Sequence, residues 1–318
     1  MHCRLSIIIP IYNVEAYVAE TLKSVFEMND PKDLFEVIVV NDGTKDGSMD
    51  IVRQYADRPN LIIVEQENQG LSAARMKGLS MATGEYVWFI DSDDSLFTNA
   101  VIKVLALIAE KPGVDVLMFP LKWVYEDAVK DRLDYKVYEE QVVIGKSIIR
   151  NLGLPVWAST RFVFRRSLEK NEWLLFPKGL IHEDEYFGLV LMYLSETVLI
   201  LKDPVYYYHI RSKSITSSRT IRSAYDMVSI HKQLMRFLEK GVDSDDREWF
   251  RQVCFSRLQK LYSNKSQFRP SEFSRFALSE GFYVWHQWLK AYLGKSPKNR
   301  IGRLFYFVLP RWKECLTG

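Results

Sequence analysis

Strand-like runs alternate with helical segments through residues 5–90, and this alternation constrains the fold more than any other feature. The strand-like runs are continuous, apolar and rich in β-branched residues, as expected of strands covered on both faces. They lie at residues 5–11, 35–40, 61–64 and 86–90, whereas residues 14–26, 46–55 and 70–82 have helical periodicity. Such alternation predicts an α/β fold in which helices flank a mostly parallel, doubly wound sheet.

A polar cluster follows each predicted strand. The clusters lie at residues 12–13, 41–43, 67–70 and 91–94. Because ligands of open α/β sheets bind outside the carboxyl ends of the strands, these clusters predict one binding site along a single edge of the sheet.

The pattern changes along the rest of the chain. A helix and a strand near residues 115–119 are followed by less regular elements up to residue 219. From Ile221 onward the periodicity is helical and aromatic residues are frequent. We therefore expect an α/β domain over residues 1–219 and a helical C-terminal region over residues 220–318.

Composition and charge exclude several classes of protein. The chain has 318 residues, 47% hydrophobic and 26% charged, as is usual for globular proteins, and its net charge of +3 does not favour a nucleic-acid partner. Cys3, Cys254 and Cys315 form no CxxC pair, which argues against a zinc site or a disulfide framework and favours a reducing compartment. No segment has the pattern of a signal peptide or the length of a membrane span, so we expect a cytoplasmic protein.

The clearest chemical signal is the acidic run Asp91-Ser92-Asp93-Asp94. Neighbouring carboxylates repel one another unless a cation lies among them, and Mg²⁺ or Mn²⁺ bridging them to a diphosphate would relieve the repulsion. Such an ion would also act as a Lewis acid on a departing nucleoside diphosphate. The alternative is a solvated loop in which an aspartate caps the next helix.

Two further motifs follow the second and third predicted strands. In residues 41–48, Asp42 is placed to accept hydrogen bonds from a nucleotide base, although the run is also typical of a strand-to-helix turn capped by Thr44 or Asp46. In residues 68–78, Arg75 is placed to pair with carboxylates or with a phosphate. The alternative for Arg75 is a surface position on an amphipathic helix.

Residues 182–187 and 206–216 supply candidates from the less regular part of the domain. Asp184 is a candidate general base, but acidic residues at a helix N-terminus also serve as simple caps. His209 and Arg211, followed by Lys213 and hydroxyl side chains, are suited to close over a diphosphate. The alternative is a basic surface loop.

Taken together, these stretches resemble the family 2 inverting glycosyltransferases of the GT-A fold, specifically the bacterial polysaccharide-biosynthesis type. The matching stretches follow the family's order and lie at residues 7–13, 39–48, 68–75, 89–94, 183–187 and 208–211. The resemblance extends over about residues 5–217 and implies a nucleotide-binding half over residues 1–100 and an acceptor half over residues 101–219. One departure is Met76, where many relatives carry asparagine.

The resemblance also implies a role for each matching residue. Asp184 corresponds to the catalytic base, and Asp91 with Asp93 corresponds to the pair that holds a divalent metal, Mn²⁺ or Mg²⁺. Trp157 is assigned to the sugar or acceptor side from its position rather than from a motif. The residues expected to bind substrate are Pro10, Tyr12, Glu15, Asp42, Asn68, Arg75, Asp91, Ser92, Trp157, Glu183, His209 and Arg211.

The implied reaction transfers a sugar from a nucleotide-sugar, with a UDP-sugar expected, to a hydroxyl of a glycan or lipid-linked saccharide acceptor in cell-surface polysaccharide biosynthesis. A sugar nucleotidyltransferase is an alternative, but residues 7–13 carry no Gly-rich phosphate loop. A catalytically inactive nucleotide-sugar-binding module of the same fold is another. That module is expected to lack Asp93 or Asp184, and both are present.

The C-terminal region ends in a basic and aromatic segment. Cations flank the apolar run at residues 304–309, and they are Lys295, Lys298, Arg300, Arg303, Arg311 and Lys313. Because this pattern suits a helix lying in an anionic membrane interface, we expect residues 295–313 to make peripheral contact with the inner face of the plasma membrane. The alternative is a helical subdomain that packs its aromatic residues on the catalytic domain.

Overall fold

The computed structural model describes residues 3–26, 33–125, 128–211 and 221–263, together with Glu280 and Tyr283. The chain divides into two compact units, Met1–Ser218 and Arg219–Gly318. The basic segment at residues 295–313 lies outside the described residues.

The first unit contains two sheets. In chain order their strands are β1 (Leu5–Ile11), β2 (Phe35–Asn41), β3 (Leu61–Glu65), β4 (Tyr86–Phe89), β5 (Ser95–Leu96), β6 (Val116–Met118), β7 (Leu121–Tyr125), β8 (Ala128–Leu133), β9 (Gln141–Val143), β10 (Phe162–Arg165), β11 (Val198–Ile200) and β12 (Tyr206–Ile210). The larger sheet has eight strands in the order β3-β2-β1-β4-β10-β6-β11-β9, and the smaller sheet has four in the order β5-β12-β7-β8.

The larger sheet is mostly parallel, as the sequence predicts. β1 pairs in parallel with β2 and β4, β2 with β3, and β6 with β11, whereas β10 and β9 run antiparallel to their neighbours. Every residue of β1 and β2 is buried. Leu5 lies opposite both Phe35 and Tyr86, so β1, β2 and β4 begin at the same edge of the sheet.

Helices flank this sheet and confirm the predicted α/β class. They are α1 (Val18–Phe26), α2 (Ser48–Arg53), α3 (Leu71–Met81), α4 (Ala100–Glu110), α5 (Gly145–Ser147) and α6 (Glu183–Leu194), and the second unit adds α7 (Ile221–Lys240) and α8 (Arg247–Ser263). α3 packs closely on the sheet, since a Cβ at Gly78 would lie 2.4 Å from Ile8 Cγ2. α1 packs on the opposite face, where Ile7 and Ile9 join its core residues.

The first two helices begin later than the periodicity predicts. α1 begins at Val18 rather than at residue 14, because the preceding residues form a turn in which Tyr17 N donates to Val14 O at 2.9 Å. α2 begins at Ser48 rather than at residue 46, because the Asp46 carboxylate lies ahead of the helix and accepts a hydrogen bond from Ser48 N at 3.1 Å.

The described part of the second unit is helical, as predicted from Ile221 onward. α7 buries Ala224, Val228, His231, Leu234 and Leu238, which share one face at a spacing of three and four residues. Within the described ranges, no helix is both long and apolar enough to cross a membrane.

Candidate active site

The acidic run after β4 contains one deeply buried carboxylate, Asp94. Its Oδ1 accepts a hydrogen bond from His209 N at 2.8 Å, and its Oδ2 accepts one from the Tyr206 hydroxyl at 2.7 Å. Burial, together with the charges of Asp93 and Asp91, raises the pKa of Asp94 well above its ordinary value. Because both oxygens are engaged by β12, Asp94 anchors the run to the smaller sheet.

The side chains of Asp91 and Asp93 remain partly exposed, by 27% and 37%. Arg75 Nη2 lies 2.7 Å from Asp91 Oδ1, and Arg211 Nη1 lies 2.9 Å from Asp93 Oδ2. Burial and the charge of Asp91 raise the pKa of Asp93, and Arg211 opposes this rise. The N-cap of α4 is Asn99, so the interpretation that an aspartate of the run caps the next helix is wrong.

Asp91 and Asp93 fit a divalent cation whose coordination is completed by a substrate. Mg²⁺ is commonly bound through one or two carboxylates together with substrate phosphates. Across the part of the chain that the structure describes, no group of three or more His, Cys, Asp or Glu side chains forms a metal site by itself. The residues present therefore suit an ion that binds together with a diphosphate.

Arg75 joins the acidic run to the start of α6. Its side chain is 3% exposed, and besides Asp91 it pairs with Glu183, whose Oε1 lies 2.6 Å from Nη1. The guanidinium also lies 5.0 Å from the ring centroid of Phe176. Both terminal nitrogens bind carboxylates, so the interpretation of Arg75 as a surface arginine is wrong.

The first two acidic residues of α6 have partners outside their own helix. Burial raises the pKa of Glu183, and its ion pair with Arg75 opposes this rise. Asp184 is partly buried, and its Oδ2 accepts a hydrogen bond from Ala158 N at 2.9 Å. The N-cap of α6 is His182, whose side chain makes no capping hydrogen bond to the helix. Simple helix capping therefore does not account for Glu183 or Asp184.

Trp157 adjoins Asp184, because it directly precedes the residue whose N–H binds that carboxylate. The Trp157 ring lies edge-on to the ring of Trp123, with 6.1 Å between centroids. The Arg161 guanidinium lies 5.2 Å from the Trp157 centroid and forms a buried ion pair with Asp134. Trp157 is thus held in place by packing beside the candidate base.

Asp42, directly after β2, organises the turn that leads into α3. It is 3% exposed, and its carboxylate accepts hydrogen bonds from Gln69 N and Gly70 N, each at 2.8 Å, and from Gln66 Nε2 at 2.7 Å. The carboxylate therefore stabilises this turn. That it also binds a nucleotide base stays a prediction.

The other residues predicted for the nucleotide pocket lie close by in the fold. Pro10 is buried within β1, whereas Tyr12, just beyond the strand, is 49% exposed. Glu15 and Asn68 are exposed, and Glu15 Oε2 accepts a hydrogen bond from Gly47 N at 2.9 Å. An exposed aromatic ring beside exposed polar groups suits a planar base.

Asp46 connects the loops that follow β1 and β2. Burial opposes its ionisation, but hydrogen bonds from Ser48, Glu15 N and Thr44 lower the pKa of Asp46 to about 2. Thr44 Oγ1 also accepts a hydrogen bond from Asn13 N at 2.8 Å. The network fixes the two loops against each other at the sheet edge.

β12 and the residue after it bring His209 and Arg211 to the acidic run. His209 Nε2 lies 2.9 Å from Ser95 Oγ, and burial and the charge of Arg211 lower the pKa of His209, so its ring is neutral near pH 7. The Arg211 guanidinium lies 3.9 Å from the ring centroid of Tyr17. Residues 212–216 of the predicted loop lie outside the described residues.

Residues for which the sequence predicts no role complete the site. The Tyr206 hydroxyl accepts a hydrogen bond from Asp91 N at 3.2 Å, in addition to its bond with the buried carboxylate. Thr21 Oγ1 donates to the carbonyl of Ser92 at 2.9 Å, which ties the middle of the acidic run to α1. The aromatic run at residues 206–208 is the sequence feature that could identify Tyr206 as part of the site. The contact of Thr21 is to a main-chain carbonyl, which a single sequence does not reveal.

Comparison with known proteins places this geometry in a family. The family model described as Glycosyl transferase family 2 matches residues 6–173. The putative glycosyltransferase EpsH of Bacillus subtilis is 31% identical over 243 residues, which cover 74% of this chain and 70% of EpsH. The poly(ribitol-phosphate) beta-N-acetylglucosaminyltransferase TarS of Staphylococcus aureus is 29% identical over 248 residues, which cover 77% of this chain but 41% of TarS.

Solved structures show the same fold. The crystal structure of residues 1–349 of S. aureus TarS in complex with UDP-GlcNAc aligns with a TM-score of 0.67 and 27% sequence identity, covering 91% of this chain and 79% of that one. Both the family match and the shared GT-A fold agree with the resemblance found in the sequence motifs. The chain belongs to glycosyl transferase family 2 and is a glycosyltransferase of the GT-A fold.

Proposed function

We propose that this glycosyltransferase moves a sugar from a UDP-sugar to a hydroxyl of a glycan or lipid-linked saccharide, with inversion, in cell-surface polysaccharide biosynthesis. The observation that carries the proposal is the Arg75 bridge, which joins Asp91 to Glu183 and so places the adjacent Asp184 near the acidic run. A base beside a diphosphate-binding loop is what such a displacement requires. The UDP-GlcNAc bound to TarS supports a UDP-sugar donor.

Asp184 is the general base in this reaction. It takes the proton of the acceptor hydroxyl as that oxygen forms a bond to the anomeric carbon. The bond from the same carbon to the diphosphate breaks on the opposite face, and its electron pair leaves with UDP. Ala158 N–H holds Oδ2 of the carboxylate, and we assign Oδ1 to the acceptor. A general base contributes roughly 10² to 10⁴ in rate.

Cationic and polar groups stabilise the charge that develops on the leaving diphosphate. Arg211 pairs with Asp93 in this structure, and we propose that it exchanges this carboxylate for the diphosphate when the donor binds. His209, neutral near pH 7, lies beside it. Mn²⁺ or Mg²⁺ held by Asp91 and Asp93 would supply Lewis-acid stabilisation of the diphosphate.

The nucleotide is assigned to residues 1–100, at the ends of β1 and β2. The exposed Tyr12 ring is available to the base. Asp42 already binds three donors, so a base N–H must use a remaining lone pair of its carboxylate. The full set that we assign to this pocket is Pro10, Tyr12, Glu15, Asp42, Asn68 and Ser92.

The acceptor is assigned to residues 101–219. Trp157, beside Asp184, forms a partly buried aromatic group with Trp123 and Tyr208. The ring centroid of Trp123 lies 6.1 Å from that of Trp157 and 6.1 Å from that of Tyr208. Aromatic faces carry partial negative charge and attract the C–H groups of a sugar ring. This group therefore supports an acceptor or donor sugar bound next to the base.

A donor screen tests the proposal. The purified chain is incubated with Mn²⁺ or Mg²⁺ and a panel of UDP-, GDP- and dTDP-sugars, while thermal unfolding and nucleotide release are followed. We expect metal-dependent stabilisation by a UDP-sugar that is lost in Asp93→Ala. Asp50→Ala is the matched control, because Asp50 is a carboxylate of α2 whose side chain is 82% exposed. Equal stabilisation of Asp93→Ala and the wild type, or none by any donor, would contradict the proposal.

Peripheral membrane contact through residues 295–313 is part of the same proposal. Its support is the alternation of cations and aromatic residues in that segment. We expect the full chain to co-sediment with vesicles containing anionic lipid, and a chain ending near residue 290 to lose this binding. Undiminished binding by the shortened chain would rule out the segment as the contact.

A further inference from the structure

Gly188 lies in the interior of α6, one helical turn after Asp184. Glycine weakens a helix interior relative to alanine, so its presence there requires a reason. The reason is a close main-chain contact, because a Cβ at Gly188 would lie 1.7 Å from Val156 O. A main-chain atom cannot move aside by changing rotamer, so any side chain at this position must displace the segment that contains Val156.

The same segment binds Asp184. Residues four apart share one face of a helix, so Gly188 and Asp184 both face the chain around Ala158. The close approach at Val156 O allows Ala158 N to lie 2.9 Å from Asp184 Oδ2. Ala158 has φ 66° and ψ 95°, a conformation that non-glycine residues rarely adopt. The surrounding contacts therefore hold the Ala158 backbone in a strained state that aims its N–H at the carboxylate.

The segment is also fixed from its other side. Arg161 Nε donates to Trp157 O at 2.8 Å. Arg161 forms a fully buried ion pair with Asp134, whose Oδ1 accepts a hydrogen bond from Leu121 N at 2.9 Å. Trp157 and Ala158 thus lie between two fixed contacts. On one side Arg161 and Asp134 link them to β7, and on the other side the main chain packs against Gly188 of α6. These contacts give the Ala158 N–H a defined position.

We propose that Gly188 is a positioning residue for the reaction, which acts by seating the Ala158 N–H on Asp184. The N–H holds one carboxylate oxygen, so that the other points at the acceptor hydroxyl. The inference rests on the proposed role of Asp184 as the base. Hydrogen bonds to carboxylates are short and strong, so a displaced N–H alters the orientation of the base.

Gly188→Ala and Gly145→Ala form a matched pair for the test. A Cβ at Gly145 would lie 2.1 Å from Met192 O, a main-chain atom near the other end of the same helix. Both substitutions force main chain apart at α6, but only the first displaces the segment that binds Asp184. With UDP-GlcNAc, or the donor found by the screen, we expect Gly188→Ala to lose kcat by about 100-fold with little change in donor KM. Gly145→Ala should keep kcat while its thermal unfolding midpoint falls.

The double variant Asp184→Asn/Gly188→Ala separates positioning from general damage. If Gly188 acts through Asp184, Gly188→Ala adds no further loss of kcat to Asp184→Asn. Multiplied losses in the double variant, or equal losses in the two glycine variants, would overturn the inference. An Asp184→Asn variant with wild-type kcat would instead overturn the base assignment, so the two failures are distinguishable.

An ester analogue covers the case in which Gly188→Ala does not fold. Incorporation of lactic acid in place of Ala158, by nonsense suppression, removes the N–H and keeps the methyl group. We expect kcat to fall about tenfold or more while UDP affinity is unchanged, because a charged acceptor loses its hydrogen bond. An ester variant with the wild-type kcat would show that this N–H does not position the base.

Discussion

The hydroxyl of Tyr206 holds the acidic run at residues 91–94 in place through two hydrogen bonds. It donates to the buried Asp94 carboxylate at 2.7 Å and accepts from Asp91 N at 3.2 Å. Tyr206→Phe leaves a buried carboxylate oxygen without this donor, so we expect a loss of about 1–3 kcal/mol in the free energy of unfolding. We also expect weaker UDP binding, because the main chain of Asp91 is no longer held. Urea unfolding and UDP titration measure the two effects.

Tyr207→Phe is the control for this prediction. Tyr207 is the next residue of β12, and its ring stacks on Phe97 with 3.9 Å between centroids. A substitution there removes a hydroxyl from the same strand without touching Asp94. We expect a change within about 0.5 kcal/mol, as is usual away from buried polar contacts. Equal effects in the two variants would argue against the anchoring role of Tyr206.

At the scale of single residues, the sequence predicts which side chains lie in the candidate site but not which ion pairs and hydrogen bonds they form. Arg75 is predicted to meet either carboxylates or a phosphate, and its binding of both Asp91 and Glu183 depends on the fold bringing the first turn of α6 within reach of its side chain. Asp184 is predicted as a base, but its partner is a main-chain N–H contributed by Ala158. A main-chain donor has no residue type, so no sequence pattern identifies it.

At the scale of elements, strand positions are predictable because buried parallel strands are continuous apolar runs. The runs at 5–11, 35–40, 61–64 and 86–90 match β1 to β4 within one residue at each end. The smaller sheet is not predicted, since β5 has only two residues and β7 and β12 are only partly buried. Its order brings β12 next to β5, directly after the acidic run, through pairing between distant residues.

α7 carries a buried histidine whose charge opposes folding at low pH. Burial lowers the pKa of His231 from 6.5 to about 4, and His231 Nδ1 lies 2.9 Å from the Tyr283 hydroxyl. As pH falls below about 6.5, His231 binds a proton in the unfolded chain. In the folded chain it stays neutral until the pH approaches about 4. Stability is therefore lost across that interval, by about 2 kcal/mol at pH 5.

His231→Phe removes this dependence on pH. Hydrogen exchange of α7 peptides, measured at pH 7.5 and pH 5 and corrected for intrinsic rates, follows the stability of that helix alone. We expect protection of α7 in the wild type to fall more between the two pH values than in His231→Phe. An identical fall in both proteins would mean that His231 is not the group responsible.

At the scale of the whole molecule, the fold accounts for why one edge carries the chemistry. The strands β1, β2 and β4 run parallel, so the loops after them lie at one edge of the sheet and carry the residues that we assign to the nucleotide, together with the acidic run. The antiparallel strand β10 lies beside β4, and the residues before it bring Ala158 to Asp184. The order of the strands, rather than any single motif, places the residues assigned to the donor next to the candidate base.

This placement is predictable from the sequence only through the resemblance to the family. The motifs in residues 5–217 follow the family's order, and the family match and the TarS structure confirm the fold. Periodicity alone predicts a parallel sheet and one ligand edge, but the antiparallel β10 depends on pairing between residues far apart in the chain. We expect the choice of donor sugar and acceptor to depend on residues 123–176, where single-sequence patterns are weak.

The most direct test of the central claim compares turnover and UDP affinity in Asp184→Asn and Glu185→Gln. Both substitutions remove one negative charge from the first turn of α6, but only Asp184 binds Ala158 N. We expect Asp184→Asn to lose about 10² to 10⁴ in kcat with UDP affinity unchanged, while Glu185→Gln stays near the wild type. Wild-type turnover in Asp184→Asn, or an equal loss in both variants, would contradict the assignment of Asp184 as the base.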